Sequence, residues 1–470
     1  MRLSIIGLGK LGAPMAAVMA EKGHTVIGVD ISPGFVNAIN QGRAPVNEPG
    51  LEELVHKNRG RLAATTDCID AVTATDVTFI IVPTPSEADG SFSLRYVLAA
   101  GDSIGQALRR KNKYHLVTLS STVMPGSTGG KLLPVLERAS GKRCGDDFGL
   151  CYNPEFIALG SVIHDMLHPD MVLIGEYDAR SGDILVDLYN GLCQSNPTIS
   201  RMNFVNAELT KLSVNTFVTT KISYANMLAR VCETLPGADV EVVTRALGTD
   251  SRIGRKYLKG ALGYGGPCFP RDNVAFSALA RATGAPALLA EATDQLNRRQ
   301  VPRLTEIVRS RLPNGGTVGV LGLSYKPDTE VIEESQGLDL AKHLASTGLK
   351  VVVYDPAAME NARRQLSGAV TYAASAAECA RQADVLVITT AWPEFKKLTP
   401  ADLKSGERRP AIIDCWRILP AKLFADLTDH LRLGYGVLAS GSEDQAKDAG
   451  IGIDSPDLSR AARIFSVGTD

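Results

Sequence analysis

Apolar residues change period within the first thirty positions. They form one continuous run at the start of "RLSIIGLGKLGAPMAAVMAEKGHTVIGVD", recur at helical spacing after three glycines, and form a second run before Asp30. This pattern predicts a buried strand, a tight turn, a helix and a second strand. It favours that unit over a signal peptide, because glycines, Lys10 and Pro14 interrupt the apolar stretch.

Two more apolar runs, at 77–85 and 115–126, extend the same predicted sheet. Residues 206–235 contain no glycine or proline and few charges, so they predict one long, largely buried helix, suited to the spine of a dimer. In that helix Lys211 and Asn215 are four residues apart and share a face. This pair is either part of a site or a solvated stripe.

The strand, turn, helix and strand pattern returns in the second half, from residue 317 to Asp355, and further strands are predicted at 383–392 and 409–417. Of the glycine fingerprint only Gly319 and Gly322 remain, so this repeat predicts a degenerate mononucleotide-binding unit. The fold class is therefore α/β, with two Rossmann-like doubly wound domains joined by a long helix and a helical dimerisation region. The predicted segments are 1–200 for the cofactor, 201–305 for the helical region, 306–440 for the second domain, and a polar tail of unknown role at 441–470.

Composition narrows the classes of function. The chain has 470 residues, 44% of them hydrophobic, and a net charge of -1, which gives no electrostatic case for nucleic acid or an anionic membrane. Its eight cysteines form no C-x-x-C pair and its seven histidines no H-E-x-x-H, so neither a metal site nor a disulfide framework is predicted. A reducing cytoplasm fits this cysteine usage best.

The three glycines, Gly7, Gly9 and Gly12, match G-x-G-x-x-G between a strand and a helix, which is typical of dinucleotide binding. Asp30 follows the second strand, where a carboxylate bonds ribose hydroxyls and repels a 2′-phosphate, so NAD is favoured over NADP. The alternative is a glycine turn in another kind of α/β domain, and the hydroxyls after later strands either contact ligand or cap helices. The expected cofactor contacts are Gly7, Leu8, Gly9, Lys10, Leu11, Gly12, Asp30, Pro83, Thr84, Ser121 and Thr122.

The stretch "GYGGPCFPRD", 263–272, presents Cys268 on a strongly bent loop. An enzyme that stops at the aldehyde needs no thiol, whereas a thiolate that adds to an aldehyde allows a second oxidation to a thioester and then hydrolysis to the acid. Arg271 and Lys211 would favour the thiolate, and Asp272 would orient water or the lysine. The alternative is a buried loop cysteine without chemistry.

Motifs along nearly the whole chain resemble the nucleotide-sugar 6-dehydrogenases, the family of UDP-glucose and GDP-mannose dehydrogenases. They are "GRAPVNEPGLEEL" (42–54), "VPTP" (82–85), "STVMPGS" (121–127), "NPEF" (153–156), "ELTKLSVNTF" (208–217), "DSRIGRKYL" (250–258), "GALGYGGPCFPRD" (260–272) and "GLSYKPDT" (322–329).

The resemblance implies that Cys268 is the nucleophile, with Lys211, Asn215 and Asp272 around the reacting carbon. Thr122 would position a water molecule, and Glu155 would assist formation or hydrolysis of the thioester. Arg252 would reach the substrate of the partner subunit in a homodimer or higher homo-oligomer. The implied substrate contacts are Glu155, Phe156, Lys211, Asn215, Arg252, Tyr257, Leu258, Lys259, Gly263, Tyr264, Gly265, Lys326 and Arg417.

Three positions depart from the family pattern: Leu159 and Glu333, which bear on NAD, and Trp416, which bears on the substrate. The segment 250–272 is most similar to the UDP-glucose dehydrogenases, which implies oxidation of UDP-glucose to UDP-glucuronate. GDP-mannose and UDP-N-acetylhexosamines stay open as substrates. A β-hydroxyacid dehydrogenase, which "GLGKLGAPMA" also resembles, and an NAD-binding sensor without catalysis are the competing functions.

Overall fold

The computed structural model describes residues 1–405, 409–424 and 427–437, and the predicted tail at 441–470 lies outside them. The N-terminal part is an eight-stranded sheet. Its strands, in chain order β1 to β8, are Arg2–Ile6, Thr25–Val29, Leu62–Thr65, Val77–Ile80, His115–Leu119, Phe148–Tyr152, Met171–Glu176 and Thr198–Met202. Their order across the sheet is β3-β2-β1-β4-β5-β6-β7-β8, and only the β6–β7 pairing is antiparallel.

Helices cover both faces of this sheet, so β4, β5 and β6 are buried along their whole length and are correspondingly apolar. A short π-helical turn, Thr128–Leu132, runs directly into the sixth helix. In chain order α1 to α8, the helices are Gly12–Glu21, Pro33–Asn40, Leu51–Lys57, Cys68–Ala74, Arg95–Arg109, Leu133–Ser140, Val162–Leu167 and Ala179–Leu192.

The predicted long helix is present as Phe204–Thr234, and it begins after Asn203, whose side chain accepts a hydrogen bond from the backbone N–H of Asn206. It is the first of five central helices, α9 to α13, which are Phe204–Thr234, Val240–Leu247, Phe269–Thr283, Leu288–Arg298 and Gln300–Ser310. The helix α9 packs against both α11 and α12. It therefore connects the N-terminal sheet with the loop that carries Cys268.

The C-terminal part is a second parallel sheet, ordered β11-β10-β9-β12-β13-β14. Its strands, β9 to β14, are Thr317–Leu321, Lys350–Tyr354, Thr371–Tyr372, Val385–Ile388, Ala411–Asp414 and Asp429–Arg432. Its helices, α14 to α17, are Gln336–Ser346, Met359–Leu366, Ala376–Gln382 and Ala421–Phe424, and 3₁₀ turns lie at Ser367–Ala369, Pro393–Lys397 and Pro400–Asp402. The predicted fold class is confirmed, while the exact domain bounds stay a prediction.

The glycine pairing in this second sheet differs from the one expected. Gly319 lies inside β9, where it packs against Ala383, and the turn instead uses Gly322 and Gly337. A Cβ on Gly337 would collide with the carbonyl oxygen of Gly322, just as a Cβ on Gly12 would collide with that of Gly7. The C-terminal turn therefore keeps two glycines in close contact, as the N-terminal turn does, but the stretch of chain between them is much longer.

Candidate active site

The turn between β1 and α1 contains two glycines that the fold requires and one that it does not. Gly7 has φ +101°, and Gly12 lies against the Gly7 carbonyl oxygen. In contrast, a Cβ on Gly9 would meet no atom within 4 Å. The space over Gly9 is therefore open at the N-terminus of a helix, which fits the approach of a pyrophosphate.

Asp30 supports this turn and is only half-buried. One carboxylate oxygen accepts the backbone N–H of Leu8 at 2.7 Å, and the other accepts that of Ser32 at 2.8 Å. Each oxygen keeps a further lone pair for a ribose hydroxyl. Of the other expected contacts in the turn, Leu8 is buried beneath Gly28, Lys10 is exposed and Leu11 is half-buried.

The hydroxyls at the ends of β4 and β5 bind neighbouring backbone. Thr84 donates to the carbonyl oxygen of Thr122 at 2.8 Å, and Ser121 donates to that of Val82 at 2.7 Å. For Thr84 and Ser121 the alternative of helix capping is therefore wrong. These bonds fix the loops around Pro83 and Thr122 to each other at the carboxyl edge of the sheet, where ligands of such folds bind.

Cys268 immediately precedes α11, and its side chain is exposed to solvent. The surrounding protein nevertheless removes enough water to raise the pKa of the thiol, and Asp272 raises it further, whereas Lys211 and Arg271 lower it. Arg271 is held by the carbonyl oxygen of Thr84, to which it donates at 3.0 Å. The predicted electrostatic roles of the two cations thus have the expected direction, although loss of water and the charge of Asp272 outweigh them in setting the pKa of the thiol.

Lys211 and Asn215 do share one buried face of α9. Lys211 Nζ donates to the backbone oxygen of Glu155 at 2.6 Å, and Asn215 Nδ2 donates to Asp272 Oδ2 at 2.6 Å. Burial lowers the pKa of Lys211, which the negative charge of Asp272 partly offsets. Four residues that the sequence singled out are therefore brought together here, and the solvated-stripe alternative is wrong.

Glu155 lies after β6, and Lys211 Nζ is also 4.5 Å from the ring centroid of the adjacent Phe156. Burial raises the pKa of Glu155 to about 7, although a hydrogen bond with Tyr189 and the charge of Lys211 lower it. Tyr189 and its second partner, Asn153, were not identified from the sequence. A tyrosine buried in α8 carries no local signal of contact with a carboxyl group that follows another strand.

The loop from Tyr257 to Gly265 is held by two buried asparagines that sequence reasoning also missed. Asn226 pairs with Ala261 N–H and the Leu262 carbonyl oxygen, each at 2.8 Å. Asn297 pairs with the N–H and carbonyl oxygen of Tyr264, at 2.8 and 2.9 Å. Each amide satisfies backbone groups that would otherwise be buried without partners, so the predicted substrate loop is rigidly placed.

The C-terminal sheet contributes residues to the same region through the loop after β9. Gly266 N–H donates to the Glu333 carbonyl oxygen at 2.9 Å, and a Cβ on Gly266 would lie 2.6 Å from the Tyr325 ring. Lys326 follows Tyr325 and is half-buried. The loop after β9, which contains the predicted substrate contact Lys326, therefore packs directly on the loop that presents Cys268.

Two predicted substrate contacts already have partners in this structure. The guanidinium of Arg417 is buried, with hydrogen bonds to the Leu433 carbonyl oxygen and to Glu241 at 3.3 Å. The Arg252 side chain is 86% exposed, and within the described residues its hydrogen bonds go to Asp250. Their roles toward substrate stay predictions.

The three departures have simple surroundings. Leu159 packs at the edge of the N-terminal core, and Glu333 is exposed. Trp416 is half-buried; its indole N–H donates to the Thr389 carbonyl oxygen at 2.8 Å, and Lys259 Nζ lies 5.8 Å from its ring centroid. Trp416 therefore borders the predicted substrate loop.

Within the described residues, no helix is long and apolar enough to cross a bilayer. In the same part of the chain, no group of three or more His, Cys, Asp or Glu side chains is arranged to hold a metal ion. All eight cysteines are free thiols.

Comparison with known proteins identifies the relatives. Residues 1–193, 205–299 and 319–421 match, respectively, the NAD binding, central and UDP binding domains of the UDP-glucose/GDP-mannose dehydrogenase family. The first match confirms NAD as the cofactor, as Asp30 predicted.

Individual relatives cover nearly the whole chain. It is 41% identical over 423 residues to UDP-glucose 6-dehydrogenase AglM of Haloferax volcanii, covering 89% of this chain and 97% of that protein. It is 33% identical over 437 residues to GDP-mannose 6-dehydrogenase of Azotobacter vinelandii, covering 90% and 98%. A solved UDP-glucose dehydrogenase from Pyrobaculum islandicum matches with a TM-score of 0.85 at 36% identity, covering 93% and 98%.

Proposed function

The chain belongs to the UDP-glucose/GDP-mannose dehydrogenase family, and from this premise we propose that it oxidises the C6 hydroxyl of UDP-glucose to the carboxylate of UDP-glucuronate. In the balanced reaction, one alcohol, two NAD and one water give one carboxylic acid, two NADH and two protons. The relatives with UDP-glucose in their names support this substrate. GDP-mannose and UDP-N-acetylhexosamines are the alternatives, because other relatives carry those names.

The observation that carries the proposal is the exposed thiol of Cys268 beside Lys211, Asn215 and Asp272. A single oxidation to an aldehyde has no use for a thiol, whereas oxidation to the acid requires a nucleophile that adds to the aldehyde carbon. The same observation disfavours a β-hydroxyacid dehydrogenase. It equally disfavours a sensor without catalysis.

NAD, when bound, accepts one hydride in each of the two oxidations. The residues that would hold it are those of the open turn at Gly9, the carboxylate of Asp30, and the loop ends at Pro83, Thr84, Ser121 and Thr122. Because Gly9 leaves space that any side chain would fill, this turn suits the close approach of a pyrophosphate.

Proton counting assigns roles around the reacting carbon. Lys211 has three N–H groups and gives one to the Glu155 carbonyl oxygen, while Asn215 has two and gives one to Asp272. The remaining donors are available to the substrate oxygen, where negative charge develops when Cys268 adds. Asp272 Oδ1 accepts no hydrogen bond within the described residues, so it can take one from water or from Lys211.

The last step releases the acid from the Cys268 thioester. We assign the placement of water to Thr122, whose carbonyl oxygen is fixed by Thr84, and the transfer of its proton to Glu155. A carboxyl group whose pKa is about 7 can serve as acid and as base near neutral pH. The remaining predicted substrate contacts complete this assignment: Phe156, Tyr257, Leu258, Lys259, Gly263, Tyr264, Gly265, Lys326 and Arg417.

The test is to count NADH formed per nucleotide sugar consumed, across a panel of UDP- and GDP-sugars. We expect two with UDP-glucose; one would indicate a β-hydroxyacid type of reaction, and none with any sugar would indicate a sensor. Cys268→Ser should lower turnover on the order of 10³-fold or more. The matched control is Cys68→Ser, a half-buried thiol on α4 that should keep full activity.

We also propose a homodimer in which Arg252 reaches the substrate of the partner subunit. The support is an exposed apolar face on α9 and the 86% exposure of the Arg252 side chain. That face includes Val205, Leu209, Phe217, Met227 and Val231. Mixing inactive Arg252→Ala with inactive Cys268→Ser subunits should restore part of the activity, and verified exchange without recovery would show that each subunit supplies its own arginine.

A cytoplasmic location belongs to the same proposal and is supported by the eight free thiols. Fractionation of cells with an antibody to the chain tests it, and recovery outside the cytosolic fraction would refute it.

A further inference from the structure

Asn153 has a fixed orientation behind the Glu155 carboxyl group. The residue is 1% exposed, and its Nδ2 donates to the Leu173 carbonyl oxygen at 3.0 Å. Reversing the amide would place two acceptors against each other, so the Leu173 carbonyl determines which end is oxygen. Asn153 Oδ1 therefore faces the Tyr189 hydroxyl, which donates to it at 2.7 Å.

Tyr189 has one proton for two neighbouring oxygens. Its hydroxyl lies 2.7 Å from Asn153 Oδ1 and 3.1 Å from Glu155 Oε1. When the proton points to Asn153, the phenol can only accept a hydrogen bond from Glu155, which must then be the neutral acid. When Glu155 is ionised, the phenol must turn its proton to the carboxylate and release Asn153.

The surroundings leave few other groups to stabilise either form of Glu155. The titratable side chains that face it are Tyr189 from α8, Cys193 just after α8, and Lys211 from α9. The cavity beside it is otherwise lined by apolar side chains from α1, α7, α8 and β7 and by two prolines outside these elements, none of which can pair with a charge. These are Met15, Met19, Pro154, Met166, Pro169, Met171, Val172 and Leu192.

We propose that Tyr189, with Asn153 behind it, is a positioning residue that holds the Glu155 carboxyl group in one place through both of its protonation states. Rotation of a single hydroxyl satisfies the acid and the carboxylate in turn, so Glu155 gains and loses a proton without moving. This inference rests on the proposed function, in which Glu155 handles a proton during release of the product.

In that step the Glu155 carboxylate accepts a proton from water while the water oxygen bonds to the thioester carbon. The C–S bond then breaks, the product leaves as the carboxylic acid, and Cys268 leaves as a thiolate. The proton on Glu155 returns to the thiolate, and the Tyr189 hydroxyl turns its own proton back from Asn153 to the Glu155 carboxylate. One water is consumed and the enzyme is restored.

Tyr189→Phe is the first test. It removes the donor to the carboxylate, so the pKa of Glu155 should rise and a base that must be ionised is available only at higher pH. The acid limb of the kcat profile should move up by about one pH unit, the equivalent of one hydrogen bond. At pH 6.5 turnover should fall while the KM values for NAD and the nucleotide sugar stay unchanged, and acid-quenched protein should carry more acyl adduct on Cys268.

The matched control is Tyr114→Phe, which removes a phenol bonded to Ser181 at the start of the same helix, α8, at 3.2 Å. It should leave the pH profile of kcat unchanged. If Tyr189→Phe gave the same profile as this control, or fell equally at every pH with altered KM values, Tyr189 would have only a structural role and the inference would be wrong.

Asn153→Leu is the second test, and it should shift the acid limb of the kcat profile in the direction opposite to that of Tyr189→Phe. Without Asn153 Oδ1, the Tyr189 proton is always available to Glu155, which favours the carboxylate, so the acid limb should move to lower pH. General damage to the fold would not produce opposite shifts in two neighbouring variants. Because wild-type enzyme must first form two NADH per sugar, failure of the proposed function is seen separately from failure of this inference.

Discussion

In both Rossmann-like units, the first turn depends on a glycine that lies against the carbonyl oxygen of an earlier glycine. The two units differ in the length of chain between these glycines and in what the turn contacts. Gly7 and Gly12 are five positions apart, whereas Gly322 and Gly337 are fifteen apart, yet in both pairs the second glycine lies against the carbonyl oxygen of the first. The helix therefore starts in the same place over the first strand. The additional residues form a loop that leaves the C-terminal sheet.

The carboxylates that follow the second strand of each unit differ in the same sense. Asp30 is half-buried and accepts two backbone N–H groups. Asp355 is 1% exposed and accepts from both ends of its turn and from an indole. Its donors are the backbone N–H groups of Leu323, Ser324, Ala357 and Ala358, the hydroxyl of Ser324 and Nε1 of Trp392.

In the N-terminal copy of the fold, this turn is open to a cofactor. In the C-terminal copy, the same turn is extended into a loop that packs on the Cys268 segment. The short turn leaves open space over Gly9 and free lone pairs on Asp30. The long loop instead reaches Gly266, which binds the Glu333 carbonyl oxygen, and its Asp355 has no capacity left for a ribose. Similar strand and helix patterns thus do not imply a second NAD site.

The largest expected effect is on stability, from Asp355→Ala. Six donors in a buried site would lose their acceptor, which should lower the free energy of unfolding of the C-terminal unit by about 3 kcal/mol or more. Trp392 and Trp416 are the two tryptophans of the chain, and both lie in this unit, so urea unfolding followed by fluorescence reports on it. Asp30→Ala should leave that transition unchanged; an equal loss in both variants would contradict the comparison.

An intermediate effect is expected on cofactor choice, from Asp30→Ala. Loss of the hydrogen bonds from ribose to a carboxylate should raise the KM for NAD about 10-fold or more. Loss of the negative charge should also reduce discrimination against NADP, which carries a 2′-phosphate. Steady-state kinetics with both cofactors measure this. The control is Asp67→Ala, which removes the carboxylate that caps the N-terminus of α4 in the same N-terminal unit. An unchanged preference would mean that Asp30 does not contact the ribose.

The comparison also indicates how far the sequence could be read. Gly7, Gly12 and Asp30 were predicted because their partners lie within one short strand–turn–helix unit, where spacing determines geometry. Gly337 was missed because fifteen positions separate it from Gly322, which no short motif covers. Lys211 and Asn215 could be paired by helical spacing alone, whereas the contact of Asn153 with Tyr189 depends on two elements that only the folded chain brings together.

The same limit applies to the hydroxyl groups. Thr84 and Ser121 follow strands, so their position at the ligand edge could be predicted. Their actual partners, the carbonyl oxygens of Thr122 and Val82, belong to neighbouring strand ends and follow from the order of strands in the sheet. Sequence periodicity identifies strands, but it does not determine which loops meet.

The smallest expected effect concerns backbone strain in the long loop, tested by Glu334→Gly. Glu334 has φ +51° and an exposed side chain, whereas the short turn places glycine at its own positive φ, at Gly7. A left-handed conformation costs a residue with a side chain about 1–2 kcal/mol, and glycine removes this cost. Glycine also loses more conformational entropy on folding, which offsets roughly 0.5–1 kcal/mol of the gain. Glu334 also attracts Arg298 weakly, a surface interaction of about 0–1 kcal/mol.

The Glu334→Gly variant should therefore unfold at a slightly higher urea concentration, with a gain in the free energy of unfolding of less than about 1 kcal/mol. Asp328→Gly, at φ +61°, is the matched control and should gain less, since aspartate tolerates this region better than glutamate. A loss above about 1 kcal/mol for Glu334→Gly would mean that its carboxylate, and not only its carbonyl oxygen against Gly265, holds the long loop over the Cys268 segment.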